Sequence, residues 1–130
     1  MKVTVSPEGL RAALNDDGEF RLQARYWDGA LQLQFGDDVY VLRLEQGEVV
    51  GVEDSPLDGT ARCEVIVSAP VADWYEFLQP IPRPLYHELY PAMWHHGFEL
   101  KGDDDYVWTY YAALRRACEM LRDLASIEEG

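Results

Sequence analysis

"EFRLQARYWDGALQLQFGDDVYVLRLEQGEVVGVE", residues 19–53, alternates apolar and polar side chains over most of its length. A period of two sends successive side chains to opposite faces of a strand. Phe20, Leu22, Ala24 and Tyr26 make one set, against Glu19, Arg21, Gln23 and Arg25. Asp28-Gly29 follows, a pair that tolerates positive φ and suits a two-residue hairpin turn. Leu31, Leu33 and Phe35 then alternate with Gln32 and Gln34, and Gly36-Asp37 turns the chain again. Tyr40, Leu42 and Leu44 are the inward set of a third strand, and Gln46-Gly47 leads into a fourth, Val49–Glu53. Beyond a loop at Asp54–Gly59, where Asp58-Gly59 is turn chemistry, Cys63, Val65 and Val67 alternate with Arg62 and Glu64. The pattern predicts a five-stranded antiparallel meander with one apolar and one polar face.

An open sheet with one apolar face must be covered. Upstream, Ser6-Pro7-Glu8 reads as the start of a short helix that ends near Asn15–Gly18, with Ser6 as cap and Pro7 in the first turn. Downstream, Pro70 starts a helix in which Val71, Trp74 and Leu78 share a face. Pro80, Pro82 and Pro84 make a stiff extended linker. Leu85–His96 is helical in composition, with Pro91 kinking or splitting it. Phe98–Lys101 is a short strand, and Asp103–Ala125 is the longest helix, its stripe running through Val107, Tyr111, Leu114, Cys118, Leu121 and Ala125. The expectation is an α+β fold, one domain over residues 1–130, with helices on one face of the sheet.

Charge narrows the partners. The chain carries 24 acidic against 11 basic residues, a net charge of −13. Nucleic acids are bound through Lys and Arg, so this balance argues against them as partners. It argues equally against anionic lipid surfaces. No stretch approaches the length of a membrane span and no apolar run follows Lys2, so the reading is a cytoplasmic protein without stable membrane insertion. The final Ile127-Glu128-Glu129-Gly130 matches no targeting tail. Cys63 and Cys118 have no neighbour at metal-ligand spacing and read as small buried hydrophobes, with a disulfide neither demanded nor excluded.

Catalytic and metal signals are weak. Adjacent helical residues point about 100° apart, so His95 and His96 are poorly placed to chelate one ion. They suit the last turn of a helix, with Gly97 as a left-handed C-cap. "HELYP" from His87 places Pro91 where a zinc-protease helix needs its second histidine. Asp103 is placed to cap the long helix, and Asp104 and Asp105 suit its first turn. "GDDDYVW" lacks the alternating ligands of a calcium loop. Ser6, Ser55, Ser68 and Ser126 lie in no nucleophile-elbow context. Neither a cofactor nor a metal is expected. One acid–base alternative survives, in which His95 or His96 faces a pocket with Glu88 or Glu99.

The aromatic residues are unevenly spread. Trp74, Tyr75, Phe77, Tyr86, Tyr90, Trp94, Phe98, Tyr106, Trp108, Tyr110 and Tyr111 all fall in the helical half. Rings fill volume coarsely, and Tyr and Trp carry a polar atom that needs a partner. A sheet roofed by broken helices and rings is expected to leave an apolar cavity with a few polar contacts, the usual character of a small-molecule site.

Three stretches carry a family resemblance: "YVLRLEQGEVVGVE", "CEVIVSAPVADWYEFL" and "GFELKGDDDYVWTYYAALRRACEML". Together they resemble the sterol carrier protein 2 (SCP2-like) family. In that family a strand leads into a helix bearing a tryptophan, matched here by Trp74. Later a short strand ends in Gly-Asp and opens the final helix, matched by Gly102-Asp103. The resemblance spans about Ser6 to Ala125 and implies an α+β fold enclosing a hydrophobic tunnel that binds fatty acids, acyl-CoA or sterols, with no catalytic residues to carry over. The chain departs from the family in its "QPIPRP" insertion, its aromatic cover and the absence of a peroxisomal tail. The aromatic cover, with the acidity, argues against long acyl chains and CoA and for a compact apolar or aromatic ligand.

The function expected is therefore non-catalytic binding or carriage of a small hydrophobic molecule between sheet and helices. The lining expected is Trp74, Leu78, Tyr90, Trp94, Phe98, Trp108 and Tyr111, with Phe35 and Leu42 from the sheet. The alternatives are a small enzyme using the His–carboxylate pair, and an accessory subunit that meets a protein partner or a second copy through rings such as Trp27 and Tyr75.

Overall fold

The structure is a computed structural model describing residues 1–54 and 63–128. Most of the predicted loop Asp54–Gly59, Ser55, and Arg62 of the predicted fifth strand lie outside the described residues, as does the end of the chain from Glu129. In chain order the elements are β1 (Lys2–Val5), α1 (Pro7–Asp16), α2 (Gly18–Gln23), β2 (Gly29–Phe35), β3 (Asp38–Glu45), β4 (Glu48–Glu53), β5 (Val65–Ala69), α3 (Val71–Phe77), α4 (Leu89–His95), β6 (Glu99–Gly102), α5 (Asp104–Thr109), α6 (Tyr111–Leu124) and β7 (Ala125–Glu128).

The α+β architecture holds, but the sheet is mixed. Its five strands run in the order β4-β3-β2-β5-β6. β2 pairs antiparallel with β3, and parallel with β5 in the register Leu31↔Val65 to Phe35↔Ala69. The chain thus leaves β4 at one edge and returns on the far side of β2. β6 then closes the other edge, antiparallel to β5. A second, two-stranded sheet, not foreseen in the sequence, joins β1 to β7.

The first predicted strand is the clearest correction. Phe20–Tyr26 is helical through Gln23, because the Asp17 carboxylate caps α2 by accepting from the Phe20 amide at 2.8 Å. Phe20 and Ala24 are buried, which a spacing of four on a helix explains as well as alternation on a strand. Leu22 and Tyr26 break the tie, being 56 % and 69 % exposed. With no strand before it, Asp28-Gly29 makes no hairpin. Gly29 opens β2, and the Asp28 carboxylate accepts from the backbone and side-chain nitrogens of Gln46 at 2.8 and 2.6 Å. The turn at Gln46-Gly47 forms as expected, with φ of 49° and 78°.

The helical cover also breaks differently. Pro91 sits in the first turn of α4, where no backbone donor is needed, so it begins the helix rather than kinking it. Leu85–Glu88 lies outside that helix. The long helix divides at Tyr110, whose ψ of 17° separates α5 from α6 and whose ring stacks on Trp27 at 4.9 Å. Gly97 is not left-handed; it allows close approach, since a Cβ there would meet the Asp73 carboxylate. Ser6 and Asp103 cap α1 and α5 as their positions require.

The core lies between sheet and helices. Leu31, Leu33 and Phe35 of β2, Leu42 and Leu44 of β3, and Val65 and Val67 of β5 face Leu10, Leu14, Phe20, Leu114, Cys118 and Leu121. Cys118 is buried, Cys63 is half-buried, and neither forms a disulfide. At the rim, Arg116 grips Asp17 through two nitrogens at 3.0 and 2.8 Å. That guanidinium bond holds the Asp17 carboxyl below its ordinary range, against the opposing effect of burial. A depressed folded pKa stabilises the fold above the ordinary carboxylate value, and the effect is lost as pH falls through the folded value. Asp17→Asn keeps an acceptor for the Phe20 amide and removes the charge. It is expected to cost about 1–2 kcal/mol at pH 7. The gap from the native chain should close as pH falls below about 4, the range in which carboxylates titrate. Urea denaturation at the two pH values checks this, and a gap that persists in acid counts against it.

Candidate binding site on the helical cover

The helical half sorts its rings into an inner and an outer set. Phe35, Trp74, Phe77 and Phe98 form the inner set. Trp74 lies edge-on to Phe35 at 4.6 Å and to Phe98 at 4.7 Å, and Phe77 meets Phe98 at 5.1 Å. The indole of Trp74 donates to the Gln34 carbonyl at 2.8 Å, so its one polar atom is satisfied. Five of the nine predicted lining residues, Phe35, Leu42, Trp74, Leu78 and Phe98, belong to this buried layer.

Of the other four, Tyr90, Trp94 and Trp108 gather on the outside, and Tyr111 lies half-buried beside them. Leu89 and Ala92 turn α4 inward, which sends Tyr90 and Trp94, four apart, to solvent. Val107 likewise turns α5 inward and leaves Trp108 out. Tyr90, Trp94 and Trp108 are 44 %, 67 % and 53 % exposed. Tyr90 stands in the middle, its ring 6.2 Å from Trp94, 6.4 Å from Trp108 and 6.3 Å from Tyr111. Trp108 and Tyr111 also touch, at 5.8 Å. Glu88 and Arg115, paired at 3.4 Å, lie close enough to act on Tyr111.

Tyr111 carries the polar feature of this group. Its hydroxyl is buried and finds no acceptor for its proton among the described residues, while the Tyr90 backbone amide lies close enough to act on its oxygen. Burial pushes its pKa up to about 12, Glu88 adds to the rise, and the neighbouring Tyr90 backbone amide and Arg115 oppose it. The phenol therefore stays protonated at neutral pH and holds a donor with no acceptor.

The histidines are placed elsewhere. His96 stacks flat on Tyr86 at 3.6 Å, with Nε2 3.4 Å from the Pro84 carbonyl. The Tyr86 hydroxyl donates to Asp73 at 2.7 Å. Burial, then that bond, pushes the Tyr86 pKa up to about 12, so this phenol is not a base. Glu88 and Glu99, the predicted histidine partners, are engaged by Arg115 and by Lys101 at 2.6 Å. His96 is linked to Asp73 through Tyr86, and no local spacing in the chain announces that arrangement. Arg122 pins this segment by donating to the carbonyls of Phe77, Tyr86 and His87 at 2.9–3.0 Å. Trp27, expected at an exposed interface, is buried under Tyr110, and Tyr75 is half-buried. Among the described residues, no group of three or more His, Cys, Asp or Glu side chains could hold a metal ion, and no helix is long and apolar enough to cross a membrane.

The arrangement of a mixed five-stranded sheet under these broken helices recurs in solved structures. A crystal structure of sterol carrier protein 2 superposes with a TM-score of 0.67, at 24 % identity over 90 % of this chain and 93 % of that one. The chain has the SCP2 fold. The solution structure of a conserved hypothetical protein from Thermus thermophilus gives 0.65, at 24 % identity over 97 % of this chain and 92 % of that one. A protein described as UbiJ-SCP2, a ubiquinone synthesis protein, gives 0.55 at 14 % identity, over 85 % of this chain and 86 % of the other. No family model matches the sequence, and no curated protein matches it. In this chain the Trp74 layer is buried, and Tyr90, Trp94 and Trp108 are exposed on the cover.

Proposed function

We propose that the protein binds and carries a small hydrophobic molecule without transforming it. The observation that carries this reading is the contact group of Tyr90, Trp94 and Trp108, three large rings half exposed to water on an SCP2 fold. Stable monomers rarely leave such rings gathered in one place without a use. Covering ~250 Å² of apolar surface there would supply roughly 6 kcal/mol before the costs of immobilising the ligand. Trp94, Trp108 and Tyr111 make the contact in this reading, around the place that the Tyr90 ring holds. Phe35, Leu42, Trp74, Leu78 and Phe98 form the packed floor that fixes their positions. Sterol carrier protein 2 and the ubiquinone synthesis protein, both named for apolar molecules, share the fold and support the reading.

Native mass spectrometry of freshly purified protein, with extraction of any bound molecule, identifies what the protein retains. Titration with an apolar naphthalene probe, read by the probe's own emission, measures the site itself. Trp94→Ala with Trp108→Ala is expected to weaken the probe at least tenfold while the melting temperature stays within a few degrees, because both side chains are largely solvated. Equal affinity in the double variant would move the site elsewhere. A protein that never binds the probe and runs as a defined oligomer burying these rings would replace carriage with a subunit interface.

A further inference from the structure

We propose that the Tyr90 ring is the built-in occupant of a one-ring slot walled by Trp94, Trp108 and Tyr111, and that the external ligand is a planar ring bearing a neutral hydrogen-bond acceptor. The inference rests on the binding reading above and names the ligand class for the same surface.

Two observations converge. The first is geometric. Tyr90 meets three rings at nearly equal distances of 6.2–6.4 Å, with interplanar angles of 62°, 66° and 87°. Edge-to-face contact on several sides is how an aromatic guest is held in a ring-walled site. Tyr90 is also 44 % exposed, so swinging its ring into water forfeits only part of its burial. The second is an orphan donor, one of two such buried side-chain atoms among the described residues, the other being the Trp27 indole nitrogen. The Tyr111 hydroxyl is buried beside Tyr90 and, although the Tyr90 backbone amide acts on its oxygen, its proton has no acceptor among the described residues. A buried donor without an acceptor is an uncommon arrangement that needs a reason. A ligand ring in place of Tyr90, carrying a carbonyl or ether oxygen, would accept from it.

Charge sets the kind of acceptor. The chain has a net charge of −13, and of the paired charges that act on the Tyr111 hydroxyl the Glu88 carboxylate outweighs its partner Arg115. An anionic acceptor would meet that field, whereas a neutral oxygen would not.

Acetophenone and ethylbenzene test this, since they share shape and differ in one oxygen. Dissociation constants come from ligand-observed NMR on the intact protein. The native chain is expected to prefer acetophenone by about tenfold, the effect of one hydrogen bond. Tyr111→Phe is expected to erase that preference with ethylbenzene affinity unchanged and folding retained. Tyr90→Ala is expected to tighten both ligands, because no ring has to be displaced. Preference that survives Tyr111→Phe, or binding that weakens in Tyr90→Ala, overturns the inference. Equal binding of both ligands by the native chain overturns it while leaving carriage standing. No binding by either the native chain or Tyr90→Ala overturns both.

Discussion

Trp74→Ala is expected to lower the stability of the fold by about 3–5 kcal/mol, the range for truncating a large buried aromatic. The loss has two sources. Trp74 is fully buried and touches Phe35, Phe77 and Phe98, so alanine leaves a void among three rings whose own places are fixed by the sheet and cover. It also strips the Gln34 carbonyl of the indole donor at 2.8 Å. Domains of this kind are stable by only about 5–15 kcal/mol, so a large share would go. Guanidinium denaturation followed by circular dichroism measures it. Trp74→Phe separates the parts, keeping much of the volume and losing the hydrogen bond, and should cost less than half as much. A loss below about 1.5 kcal/mol for the alanine variant would mean that the inner rings are loosely packed, contrary to a tight core.

Gly102→Ala is expected to be nearly as damaging through the backbone alone. Gly102 has φ of 120°, a conformation that side chains with a Cβ rarely adopt. An added Cβ would also press on the Glu64 carbonyl, the same oxygen that accepts from the Asp103 amide at 2.8 Å. Strain and crowding together are expected to cost about 3 kcal/mol. The damage falls where β6 leaves the sheet and α5 begins, which positions Trp108. Gly18→Ala is the matched control, with open space around its Cβ position, ordinary φ and a place in the first turn of α2. It is expected to be neutral or slightly stabilising. Thermal melts of the two variants side by side decide the point, and similar behaviour would count against the strained junction.

Locally determined features were legible from the chain. Ser6 and Asp103 act within three residues of themselves, so their capping roles can be read in sequence. The Gln46-Gly47 turn is similarly local. Phe20 and Ala24 were misleading because a spacing of four satisfies helix and strand alike, and Asp17 decided the matter from outside the alternating stretch. The parallel β2–β5 pairing was not legible, since nothing near either strand states which edge the chain returns to. All nine expected site residues lie in the cover or on the sheet beneath it, but their division into buried floor and open rings was not foreseen. The α4 pattern held a signal for it, because Leu89 and Ala92 on one face leave Tyr90 and Trp94 on the other. Asp73, Tyr86 and His96 come together only through tertiary packing.

The pairing of β1 with β7 joins residues 122 apart, as at Thr4 and Ser126. During synthesis the N-terminal strand emerges early and must wait, its backbone groups bonded to water, until Ala125–Glu128 has been made. The order of translation is therefore built into the molecule. The five-stranded sheet can assemble once β6 is available, whereas the small sheet needs a strand that is made after it.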